Sequence, residues 1–113
     1  MGALATEKRD LRLIRKARDR WVAVLNDGRG GSLFVCDTLN YVFDEAELEV
    51  PEWCEEVVRL CNCSNFRIAY MGEYRDPMYS RKPEQVQARE QLWAILMHTA
   101  KLRVHMAEHS CLS

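Results

Sequence analysis

Trp21-Val-Ala-Val-Leu25, Asp27-Gly-Arg-Gly-Gly-Ser32 and Leu33-Phe-Val-Cys36 decide the fold. The first run reads two ways. It can continue the helix that precedes it, or it can form a β-strand. The middle run reads as a turn, because its glycines and Asp27 tolerate positive φ. The third run reads as a strand. With extended chain on both sides of the turn, the stretch is a β-hairpin. The alternating valines at 22 and 24, and the arginine-rich helix end before them, tip the reading toward the hairpin.

Upstream, residues 6–20 read as a helix capped by Thr6, with Leu11, Ile14, Ala17 and Trp21 at three- and four-residue steps. Downstream, Asn40-Tyr-Val-Phe43 reads as a second short strand. Pro51 opens a helix over Glu52–Cys61, with acids in its first turn. Phe66-Arg-Ile-Ala-Tyr-Met71 reads as a buried strand, and Asp76-Pro77 and Lys82-Pro83 bracket a loop. A long helix follows from Pro83 to about Glu108. Only Lys101-Leu-Arg-Val-His-Met106 alternates like a strand within it. The order α-β-β-α-β-α predicts a single α+β domain over 1–113. Its helices would pack on one face of a short, mostly antiparallel sheet, with a long C-terminal helix. That last helix carries one apolar stripe through Val86, Trp93, Met97, Ala100, Val104 and Ala107, and a second through Leu92, Ile95, Leu102 and Met106. The width suits a central helix or a homodimer contact.

Composition bounds the function. The chain has 113 residues, 48% hydrophobic and 29% charged, which is ordinary for a globular protein and argues against disorder. Its longest apolar run, Leu92–Met97, is far short of the ~20 residues that span a bilayer. The N-terminus lacks the order of a signal peptide, and Gly2 with Thr6 matches a myristoylation pattern only weakly. Five cysteines, an odd number, fit reduced thiols in the cytoplasm. No membrane role is expected.

The net charge of −1 hides a division. Residues 1–20 hold seven Lys/Arg against three Asp/Glu, whereas residues 37–58 hold eight acids and no base. Carboxylates this dense face water, a cation or a basic partner. The basic helix, with Lys8, Arg9, Arg12, Arg15, Lys16 and Arg18, could track a nucleic-acid backbone. Glu7, Asp10 and Asp19 interrupt it, and the pI near 6.3 weakens that reading.

Motifs for chemistry are weak. Cys54, Cys61 and Cys63 lack paired zinc-ligand spacing, and Cys54 and Cys61 read as core residues. His105 and His109 are four apart and read as solvent-facing, with a metal site using Cys111 the weaker alternative. No Asp-x-Asp loop supports calcium. Gly28–Gly31 runs into a predicted strand rather than a helix, so it is no phosphate cradle. Nothing fixes a base beside Cys36. No enzyme activity, cofactor or metal is expected. Tyr70, Tyr74, Arg75, Met78, Tyr79 and Arg81 are residue types enriched at protein interfaces.

These readings predict a small interaction protein that binds, and inhibits or modulates, a protein partner with a basic surface. Asp44, Glu45, Glu47, Glu49 and Glu52 would steer the encounter, and Tyr74, Arg75 and Tyr79 would anchor it. Small inhibitors from phages and other mobile elements share this short, motif-free, charge-divided profile, by analogy of class alone. A nucleic-acid-binding regulator using the basic helix is the alternative.

Overall fold

A computed structural model of the chain describes residues 2–27, 34–62 and 83–112. Their elements are α1 (Ala3–Asp27), α2 (Val35–Glu45), α3 (Glu52–Asn62) and α4 (Pro83–Leu112). No strand occurs among the described residues. The expected α+β sheet is therefore corrected to an all-α arrangement of the described elements. The turn expected over residues 28–32, the strand expected at Phe66–Met71 and the loop that Asp76-Pro77 and Lys82-Pro83 bracket lie outside the described residues.

The hairpin fails on both sides of its turn. In a strand, Trp21, Ala23 and Leu25 would share one face. Here Trp21 is buried and Leu25 packs on the core, while Ala23 is exposed. The buried set Asp10, Leu13, Ile14, Ala17 and Trp21 keeps the helical period, so α1 continues through the valines. Thr6 is not the cap: its N–H donates to the Gly2 carbonyl at 3.5 Å inside the first turn.

From Val35 onward, one helix replaces the strands expected at Leu33–Cys36 and Asn40–Phe43. Phe34 is extended (φ −89°, ψ 143°), and α2 begins at the next residue. Val35, Leu39, Val42 and Phe43 then fall at helical steps, and all four are buried. Strand propensity spans only about 1 kcal/mol. Burying each large apolar side chain is worth about 1.5–3 kcal/mol, so packing decides.

α2 ends in a Schellman turn. The Leu48 N–H donates to the Phe43 carbonyl at 2.9 Å, and the Glu47 N–H to the Asp44 carbonyl at 2.9 Å. Glu47 holds the left-handed position at φ 58°, where glycine is the usual occupant. The turn aims the chain at Pro51, whose carbonyl accepts from the N–H groups of Cys54 and Glu55 at 3.0 and 3.3 Å to start α3. The helix expected from Glu52 is thus present. So is the long last helix, which runs unbroken through Lys101–Met106.

The described helices alternate in direction. Near one end, Arg103 of α4 reaches Glu7 of α1, and Trp53 at the start of α3 lies 5.2 Å beneath the same guanidinium. Further along, the Trp21 and Trp93 rings pack 6.4 Å apart. α2 returns beside α1, with Arg20 3.9 Å over Tyr41 and Phe34 4.5 Å from the Arg89 guanidinium. The core joins Leu13, Ile14 and Trp21 to Leu39, Phe43, Cys54, Val58, Trp93 and Leu96. Arg89 is only 2% exposed, and this burial pulls its pKa down to about 10. Among the described residues, no helix is long and apolar enough to cross a membrane.

Candidate functional site

Two depressions lie side by side between α2 and α3. The first, 310 Å³, has an apolar floor of Leu39, Val50, Cys54 and Val58. The second, 600 Å³, is bordered by Asp44, Glu49, Glu52 and Glu55. They share Asn40, Val50 and Glu55, so they adjoin in one groove: an apolar floor, flanked by Glu55 and Arg59, opens onto a rim of carboxylates.

Local structure explains the arrangement. Asn40 and Asp44 stand one turn apart on α2, and Glu52 and Glu55 share a face of α3. The Schellman turn and the Glu49-Val50-Pro51 link bring these faces together. Glu52 and Glu55 occupy the first turn of α3, where the helix dipole favours negative charge. That placement offsets part of their mutual repulsion. Asp44, Glu49, Glu52 and Glu55 are all exposed. Glu56 is instead engaged by Arg59 on the same helix, with one contact at 3.2 Å.

The sequence-predicted acids therefore divide. Asp44, Glu49 and Glu52 meet at the groove. Glu45 accepts a hydrogen bond from the Tyr41 hydroxyl, which raises the tyrosine pKa against the opposing charge of Arg20. Glu47 stands exposed on the turn. Tyr74, Arg75 and Tyr79 lie outside the described residues. Glu55, Asn40 and the apolar floor were not singled out as site residues. The helical spacing of Val35, Leu39, Val42 and Phe43 was the signal that could have revealed α2, and with it this groove.

The cysteines divide by burial. Cys54 is fully buried, and desolvation, reinforced by the charge of Asp10, pushes its thiol far above the ordinary range. Burial also raises Cys61. Both then behave as small apolar groups rather than thiolates. The Cys36 thiol donates to the Asp37 carboxylate at 3.7 Å. Cys63 lies outside the described residues.

No protein-family profile, curated protein or solved structure matches this chain.

Its site is read from its own residues. Among those described, no group of three or more His, Cys, Asp and Glu is placed to hold a metal ion. His105 and His109 are exposed on α4, with ring centroids 4.2 Å apart edge to face. On the same helix, the stripe through Trp93, Met97, Ala100 and Ala107 is buried. The second stripe is split. Leu92 is buried, while Ile95, Leu102 and Met106 are 38, 46 and 68% exposed.

Proposed function

We propose that this chain is a non-enzymatic protein-binding module of the cytoplasm, which inhibits or modulates a partner by holding a basic, amphipathic segment in the α2–α3 groove. The observation that carries the reading is the continuity of apolar floor and acidic rim through Asn40, Val50 and Glu55. Each part has a physical task. The rim carboxylates attract a Lys- or Arg-rich surface and speed the encounter. The floor of Leu39, Val50, Cys54 and Val58 receives a long aliphatic side chain, whose burial is worth about 1.5–3 kcal/mol. A partner offering only positive charge gains the first term without the second.

A nucleic-acid-binding protein presents the complementary charge, and occupation of its basic segment would compete with phosphate. An odd number of cysteines fits a reducing compartment. Zero-length carbodiimide cross-linking of the captured complex tests the assignment, because it joins carboxylates to lysines in direct contact. Cross-links from Asp44, Glu49, Glu52 or Glu55 to a Lys-rich partner segment are expected. Cross-links confined to acids outside the groove would contradict it.

A further inference from the structure

We propose that the outer face of α1 binds the phosphate backbone of nucleic acid through Lys8, Arg12, Arg15 and Lys16. All four are exposed. At 3.6 residues per turn they fall within about 100° of arc, on the side away from Leu13, Ile14, Ala17 and Trp21. At 1.5 Å per residue the row is about 12 Å long.

The sequence places acids within and beside this run, and the fold draws Glu7 and Asp10 away from its outer face. Glu7 is turned to Arg103, which donates to it at 3.0 and 3.1 Å. Asp10 is 3% exposed and is taken by Arg9 at 3.2 Å. Asp19 stays exposed on the same face, one turn beyond Lys16, where Arg18 pairs with it at 3.5 Å. Between Lys8 and Lys16 the outer face therefore carries no carboxylate. None of the four cations has an ion-pair partner among the described residues. The charge pattern that looked interrupted in sequence is continuous in space.

A row of unpaired cations suits a polymer of repeated charge. Each strand of duplex DNA carries one charge per about 3.4 Å of axis, so long side chains on this row reach successive phosphates. An anionic membrane would call for apolar residues beside the cations, and those of α1 in this stretch are turned to the core. A second copy's acidic groove would call for an apolar group to fill its floor, and the row offers none between its charges. The surface shares no residue with the groove, so the two assignments stand or fall separately.

Fluorescence anisotropy of the intact chain with labelled 20-nucleotide duplex DNA, single-stranded DNA and RNA, at 50 and 200 mM salt, tests this directly. Four phosphate contacts predict a log–log salt slope of about −3.6 on duplex, roughly a 150-fold loss of affinity over that fourfold range. Each of Lys8→Gln, Arg12→Gln, Arg15→Gln and Lys16→Gln should flatten the slope by about 1. The quadruple variant should lose binding with its far-ultraviolet circular dichroism unchanged, and Lys101→Gln should behave as wild type. The single variants keep the result readable if the quadruple does not fold. Three results would overturn the proposal: no binding to any of the three probes at 50 mM salt, a slope the four single variants leave unchanged, or salt-sensitive dimers in sedimentation without nucleic-acid binding. The last would assign the row to a second copy.

Discussion

Glu47 occupies the position in the Schellman turn where a side chain is least comfortable. Its φ of 58° places Cβ against the following carbonyl, a conformation glycine adopts without strain. The turn nonetheless closes, because the bonds from Leu48 and Glu47 to Phe43 and Asp44 satisfy carbonyls at the end of α2, and Leu48 packs on the core. Glu47→Gly should therefore stabilise the fold by about 1 kcal/mol, read as a higher urea midpoint with an unchanged slope. A lower midpoint would contradict the left-handed turn. The other residue-scale findings share one cause, desolvation. Asp10, Arg89 and Cys54 are all shifted toward their neutral forms chiefly by burial. A titratable side chain in a composition table carries no sign of this, because burial depends on which face of the helix it occupies.

At the scale of elements, α3 and α4 were legible in the sequence. Pro51 with following acids marks the start of one, and the Ala-, Leu- and Met-rich run after Pro83 marks the other. α2 and the end of α1 were not. Both are short runs rich in β-branched and aromatic residues, where a two-residue alternation and a helical period fit almost equally well. Tertiary contacts settle the choice: Phe43 and Leu39 are buried in a core built by α1 and α4, which no local window contains. Asn40 separates the two readings without disturbing packing, since its side chain is exposed. Within α2, Asn40→Pro removes a backbone donor and clashes with the preceding turn, at a cost of about 3 kcal/mol or more. At the edge of a short strand it would be tolerated far better. Thermal unfolding followed by circular dichroism should show a large drop in midpoint. A midpoint close to wild type would contradict the helix.

At the scale of the whole molecule, the charge division first seen along the chain becomes a division of surfaces. The acids of residues 37–58 were legible as a group, but only some of them meet. The fold collects Asp44, Glu49, Glu52 and Glu55 around an apolar floor, ties Glu45 to Tyr41 and Glu56 to Arg59, and leaves Glu47 on a turn. The floor was invisible in the sequence because it joins residues from two helices, one of which read as strands. Electrostatics alone would make the groove a weak, salt-sensitive attractor. On the proposed function, adding the floor would make it selective for a segment that is both basic and apolar. Calorimetric titration of the intact chain with a synthetic helical peptide of Lys and Leu measures this directly. Saturable binding is expected, weakening at least tenfold, about 1.4 kcal/mol, when Asp44, Glu49, Glu52 and Glu55 are all changed to Lys, and equally when the peptide's leucines become serines. Equal affinity for the reversed protein, or for the leucine-free peptide, would contradict it.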